Sequence, residues 1–174
     1  MSNDITLGIL GSGQLGTELV RSAKKIGINK IIVLSDDKDG PAQNFCDEYI
    51  YSDYKDISNL KKFINKIDIC TYEFENLPIE ILNKINQSKN VYPNPNCLRI
   101  AQNRVLEKSF ANKLNIKSTE WQTVKSIEEL KKNSHLLPGI LKTNTMGYDG
   151  KGQHRINTIE DIDEKFNFSK GYIL

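Results

Sequence analysis

Cysteine, tryptophan, methionine and histidine are all scarce in this chain, at three, one, two and two of 174 residues. Cys46, Cys70 and Cys97 are odd in number, far apart and outside any CxxC spacing. That excludes a disulfide framework, and the three read as small apolar residues of a reducing compartment. His135 and His154 have no ligand-like neighbours in sequence, so a histidine-based metal site is not expected. An excess of one charge is also missing: 24 Lys and Arg face 22 Asp and Glu, for a net +2, and the signs alternate. Nothing is basic enough for a phosphate-backbone footprint, so nucleic acid is not an expected partner. No run approaches the roughly 20 apolar residues that span a bilayer. The first residues lack the basic and apolar regions of a signal peptide. No membrane partner is expected, and the cytoplasm is the expected location.

What remains is a chain with 38% hydrophobic and 26% charged residues, enough for a real core. Its length suits one domain, or one domain and the start of a second. The first ninety or so residues alternate short β-rich runs with helical patterns, the signature of a parallel sheet covered by helices. Strands are predicted at 5–10, 31–34, 48–51, 68–72 and 91–92. Helices are predicted at 17–26, at 57–67 and at 78–85, the last with a proline in its first turn. The sequence PNPN at 93–96 is the best linker candidate, because two prolines and two asparagines continue neither element. Beyond it, 98–114 reads as one or two helices, 120–124 as a strand, and SIEE at 126–129 as a capping box that opens a helix. Residues 136–143 read as a strand, with 153–156 its hairpin partner across a glycine-rich loop. TIED at 158–161 reads as another helix start. The strand expected from Gly171 has nothing after it to pair with, which points to an incomplete second domain.

Three motifs carry chemistry. GSGQLG, from Gly11 to Gly16, stands between the first strand and the first helix, where glycines permit a tight turn and close approach of an anion to free N–H groups. Asp36 and Asp37 end the second strand, about where a dinucleotide fold keeps its ribose-binding carboxylate. TYEFEN, from Thr71 to Asn76, lies at the carboxyl end of a buried strand. Glu73 and Glu75 there could accept from an amine or ribose hydroxyls, or could simply cap the following helix. KTNTMGYDGKGQ, from Lys142 to Gln153, combines a strand lysine with a glycine-rich hairpin loop suited to covering nucleotide phosphates. It is not a P-loop, which opens a helix. Arg104 by itself reads as a helix charge, and Trp121 as core.

Together with QNRVLEK and the P-x-P linker, these motifs occur in the order found in one family. The chain resembles the 5-(carboxyamino)imidazole ribonucleotide synthases, the ATP-dependent subunits of phosphoribosylaminoimidazole carboxylase and ATP-grasp enzymes of purine biosynthesis. The resemblance covers nearly all 174 residues. It implies an α/β fold: a Rossmann-like parallel-sheet pre-ATP-grasp domain over 1–94, then the beginning of an α+β ATP-grasp domain over 95–174. It also implies a reaction, in which ATP phosphorylates bicarbonate and the resulting carboxyphosphate delivers carbon dioxide to the amine of 5-aminoimidazole ribonucleotide.

Carried over by position, Arg104, Lys142, Gly147, Tyr148, Asp149, Gly150, Lys151, Gly152 and Gln153 are implied to bind ATP. Gly13, Gln14 and Leu15 are implied to hold the phosphate side of the ribonucleotide, with Glu73 near its ribose or amine. Tyr148, Asp149 and Lys151 are implied to be catalytic, facing the imidazole. The family uses Mg2+, with no metal ligand implied within this chain, and its members are commonly homodimers. Ser12, Thr17, Asn103 and Met146 depart from the family's usual Gly, Arg, Asp and Gly. Family members continue for roughly as many residues again, so this chain alone is expected to be inactive. Two other readings stay open: an NAD-dependent oxidoreductase resting on GSGQLG with Asp36 or Asp37, and a catalytically dead nucleotide-sensing module.

Overall fold

The computed structural model describes residues 5–147, 151–162 and 166–174. The chain divides into two compact units, Met1–Leu98 and Arg99–Leu174. In the first, β1 (Thr6–Leu10), β2 (Lys30–Ser35), β3 (Glu48–Tyr51), β4 (Ile69–Tyr72) and β5 (Asn90–Val91) form a parallel sheet in the order β3-β2-β1-β4-β5. Helices α1 (Gln14–Lys25), α2 (Ile57–Lys66) and α3 (Ile79–Asn86) connect the strands. β1 and β2 are nearly continuous apolar runs because both faces of the sheet are covered.

Side-chain alternation splits the core in two. Ile9, Ile31 and Val33 pack with Val20 and Ala23 of α1. Leu10, Ile32 and Leu34 pack with Leu60 and Phe63 of α2 and Leu82 of α3. Asp56 caps α2, its carboxylate accepting from Ser58 N at 2.8 Å and Asn59 N at 3.1 Å. The strand order reverses at β1, so the carboxyl ends of β1, β2 and β4 converge at one edge.

Helix α4 (Pro95–Ala101) spans the division between the units. The second unit holds α5 (Arg104–Lys113), β6 (Thr123–Val124), α6 (Ile127–Lys132), β7 (Gly139–Thr143), β8 (Gln153–Ile156) and β9 (Tyr172–Ile173). Its sheet is antiparallel in the order β6-β9-β7-β8, over a core of Val124, Leu130, Leu141, Ile156, Tyr172 and Leu174. Ser126 caps α6, its Oγ accepting from Glu129 N at 3.2 Å, but the box expected there is not closed: Glu129 accepts from Lys125 N, one residue before the cap. No helix among the described residues is long and apolar enough to cross a membrane.

Several expectations are corrected. Pro95 does not break the chain; it opens α4, where a missing N–H costs no hydrogen bond. Thr158 opens only a short 3-10 turn, Ile159–Asp161, although its capping box is present. The strand expected from residue 136 starts at Gly139, after a 3-10 turn at Ser134–Leu136. The strand from Gly171 is not left unpaired: β9 sits inside the sheet, between β6 and β7. Trp121 is only partly buried and lies outside the core of its unit.

Candidate functional site

In the first unit the site is the turn from β1 into α1. Gly11 has φ +101°, a left-handed conformation that favours glycine, and its N–H donates to Leu34 O at 3.0 Å. Gly13 is the N-cap of α1 and supplies no side-chain cap, and the first turn carries no acidic residue. The leading N–H groups of the helix therefore lack intrahelical acceptors and face an anion favourably. Glu73 follows β4 directly, and its N–H donates to Leu10 O at 3.0 Å. Its carboxylate enters the turn, where Oε1 accepts from Gly13 N at 2.9 Å.

Glu73 and the backbone of the turn itself account for two of the glycines. A Cβ on Gly11 would stand 2.7 Å from Glu73 Oε1, and one on Gly16 would stand 2.9 Å from Gly11 O. Gln14 and Leu15 direct their side chains outward, Leu15 being 66% exposed. The fold thus brings Gly13, Gln14, Leu15 and Glu73 to one turn.

In the second unit Lys142 lies on β7, with Gln153 of β8 on one side and Ile173 of β9 on the other. A cleft of about 740 Å³ opens beside it, lined by both Lys142 and Arg104. Asn103 caps α5 by accepting from Val105 N and Leu106 N, which places Arg104 first in the helix. From there the guanidinium donates to Thr143 O at 2.6 Å and Gly147 O at 2.5 Å, while Arg104 N donates to Asn144 O at 2.9 Å. Arg104 is therefore a strut for the start of the glycine-rich loop as well as a cation at the cleft.

The two ends of that loop meet. Thr143 N donates to Gly152 O at 2.9 Å, and Gly152, at φ +67°, passes so near Thr143 that a Cβ would lie 2.7 Å from its Oγ1. A Cβ on Gly147 would lie 2.9 Å from Lys151 O. Tyr148, Asp149 and Gly150 lie outside the described residues. Among the described residues no group of three or more His, Cys, Asp or Glu could hold a metal ion.

Over residues 4–102 the sequence matches the ribonucleotide synthetase preATP-grasp domain family. The chain belongs to this family. Residues 109–172 match the ATP-grasp domain in turn, so the preATP-grasp domain is followed by the start of an ATP-grasp domain. Among curated relatives, the bifunctional purine synthesis protein purC/E of Dictyostelium discoideum is 37% identical over 91% of this chain and 16% of its own length. The N5-carboxyaminoimidazole ribonucleotide synthase of Pseudomonas aeruginosa is 35% identical over 92% of this chain and 44% of its own. Among solved structures, N5-carboxyaminoimidazole synthetase from Staphylococcus aureus complexed with ADP superposes with a TM-score of 0.89. It is 33% identical, with 97% of this chain and 46% of that one covered. The Aspergillus clavatus carboxyaminoimidazole ribonucleotide synthase complexed with ATP gives a TM-score of 0.85 at 28% identity, over 99% and 47%. The chain spans half the length, or less, of the relatives it matches.

Within this preATP-grasp family member, sequence reasoning missed three residues that the structure brings forward. Trp121 lines the cleft with Lys142 and Arg104. Its position just before a two-residue strand is the signal that could have marked it as a wall rather than core. Ser12 and Tyr49 meet at the β2 side of the glycine turn, 2.9 Å apart, and no local pattern in sequence announces a contact between residues that far apart.

Proposed function

We propose that this chain is the substrate-binding and nucleotide-binding part of an ATP-dependent carbon–nitrogen ligase that carboxylates 5-aminoimidazole ribonucleotide in purine biosynthesis. The observation that carries the reading is the convergence of Arg104 and Lys142 on one cleft beside a glycine-rich hairpin, in a chain whose other unit offers a glycine turn at a helix start. The cleft suits a nucleoside triphosphate. Lys142 and Arg104 supply charge for the phosphates, and Trp121, Ile140 and Ile173 supply an apolar wall for the base, the glycine-rich motif after Lys142 being assigned to the phosphates from sequence. The turn suits the ribonucleotide phosphate through the N–H groups of Gln14 and Leu15 at the helix start, while Gly13 N holds the Glu73 carboxylate, assigned to the substrate's ribose or amine.

The chemistry then balances as follows. A bicarbonate oxygen attacks the γ-phosphorus of ATP and ADP leaves, the cationic side chains stabilising the charge on the transferring group. Carboxyphosphate breaks its carbon–oxygen bond to give phosphate and carbon dioxide. The amine lone pair of the ribonucleotide bonds to that carbon and releases a proton, giving 5-(carboxyamino)imidazole ribonucleotide. Tyr148, Asp149 and Lys151 are assigned to the substrate side of this step from the sequence motif. Mg2+ is the expected partner of ATP, and the carboxylates that hold it are assigned to the part of the relatives that this chain does not span. A cytoplasmic homodimer is the expected form of the whole protein, and this chain by itself is expected to be inactive.

An oxidoreductase using NAD would leave the Lys142 cleft without a role, and the family match favours the ligase. The deciding experiment measures ADP release by the longest native chain that begins with this sequence, in bicarbonate and Mg2+, with and without 5-aminoimidazole ribonucleotide. Release that depends strongly on the ribonucleotide supports the ligase. Ribonucleotide binding with no ADP under any condition would instead establish a nucleotide-sensing module.

A further inference from the structure

Ser12 interrupts the glycine turn, and the proposed reaction gives it nothing to do. Yet it is only 2% exposed, and its hydroxyl is engaged on two sides. Ser12 Oγ lies 2.8 Å from Ser35 Oγ at the end of β2 and 2.9 Å from the hydroxyl of Tyr49 on β3. The Tyr49 hydroxyl also meets the carbonyl of Asp37, and Ser35 Oγ accepts from Asp37 N at 3.1 Å. The Ser12 carbonyl accepts from Ala42 N at 3.1 Å. Together these bonds fasten the segment from Asp37 to Ala42 onto the glycine turn.

Gly40 shows how close the fit is. Its φ of −59° and ψ of 132° suit any residue, so glycine is not required there by conformation. It is required by space, since a Cβ would stand 1.9 Å from Ser12 Oγ and 2.8 Å from the Tyr49 hydroxyl. The carboxylate of Asp37 is used locally, accepting from Asp39 N at 3.0 Å. In a dinucleotide-binding fold, the ribose of the second nucleotide lies over the end of this same strand and is held by a carboxylate there. Here the chain's own 37–42 loop is bonded to Ser35, Tyr49 and Ser12 at the end of that strand, and the Glu73 carboxylate stands on the β4 side of the turn.

We propose that the 37–42 loop, fastened by Ser12 and Tyr49 to the β2 side of the turn, keeps a dinucleotide out of the first unit and holds the turn for one phosphorylated ribose. This rests on the reading that the turn binds the ribonucleotide phosphate. Ser12 and Tyr49 are positioning residues, acting through the loop rather than on the reacting atoms.

The test uses the full-length protein, with calorimetry for 5-aminoimidazole ribonucleotide and for NAD, steady-state kinetics, and hydrogen exchange of the amides of Asp37 and Ala42. The wild type is expected to bind the ribonucleotide and not NAD. S12A and Y49F are expected to speed exchange at both amides, and to raise KM for the ribonucleotide about fivefold, the worth of one hydrogen bond. KM for ATP stays unchanged, a split that general destabilisation would not produce. G40A is expected to be worse than S12A, and S12G/G40A to recover part of the difference, because the Ser12 side chain is gone while the Tyr49 hydroxyl still stands 2.8 Å from the added Cβ. NAD binding by the wild type as tight as the ribonucleotide, or S12A and Y49F with wild-type exchange and KM, would overturn the proposal. If the wild type binds no ribonucleotide, the functional reading fails. The loop assignment is then decided separately: faster exchange in Y49F with NAD still excluded by the wild type sustains it, and unchanged exchange sinks it.

Discussion

Glu73 places its carboxylate inside the turn that Gly13 caps, Oε1 accepting from Gly13 N at 2.9 Å. The contact ties the ends of β1 and β4 together, and it places the Glu73 carboxylate where a side chain at Gly11 would go. A charge-assisted bond of this kind contributes about 1.5–3 kcal/mol. E73A is expected to lower unfolding stability by an amount in that range, and G11A to lower it as well, through both its φ of +101° and its 2.7 Å approach to Glu73. Denaturant unfolding checks both. Wild-type stability in E73A would show that the bond is incidental.

Arg104 spans two carbonyls at once, Thr143 O and Gly147 O. A lysine has a single ammonium and cannot reproduce that fork. R104K is therefore expected to weaken ATP binding by roughly tenfold or more, the worth of a charged hydrogen bond. K142A is expected to abolish it. Titration calorimetry with ATP decides, and normal ATP affinity in K142A would remove Lys142 from the site.

Trp121 is the single tryptophan of the chain, and it lines the same cleft as Lys142. ATP is expected to change the intrinsic tryptophan fluorescence with saturation at the ATP dissociation constant, and W121F to lose the signal. ATP that binds without altering the emission would place the base elsewhere.

The three thiols are expected to separate cleanly under a thiol reagent. Cys97 is exposed and reacts first. Burial raises the Cys46 thiol, which slows it, and burial pushes Cys70 up to about 12, which leaves almost no thiolate near neutral pH. Labelling of Cys70 should track global unfolding. Early Cys70 modification would mean that the sheet opens at β4.

Burial also raises the Tyr54 hydroxyl well above its ordinary value of 10. Above that pH the unfolded chain releases a proton that the folded chain keeps, so stability is full below pH 10 and is lost as pH rises beyond it. Y54F is expected to flatten the fall of the melting midpoint in alkaline solution. An equally steep fall would assign it to other groups, such as Cys70.

Much of the first unit was legible because a parallel sheet buried on both faces writes itself as short apolar runs, as at Ile31 to Leu34, while the edge strand Glu48–Tyr51 showed through its tyrosines and isoleucine. Motif spacing likewise marked the turn at Gly11 and the loop after Lys142. What escaped were contacts with no local period. Glu73 bonds to a backbone N–H, which carries no residue identity. Tyr49 reaches Ser12 only because β3 and β1 flank β2. The helix expected at Thr158 stayed a single 3-10 turn, since a capping box starts a helix but does not supply the apolar face that sustains one.

The position of β9 carries a consequence for how the protein comes off the ribosome. Thr123 pairs with Ile173, and Lys142 on β7 pairs with the same residue, so β6 has no neighbour in its sheet until Tyr172 and Ile173 have emerged. The first unit draws its strands from a contiguous stretch and can form while the rest is still being made. The second sheet instead waits on β9, so the cleft beside Lys142 forms after the first unit, and the edge of β6 left unpaired in that interval is what a chaperone has most to protect.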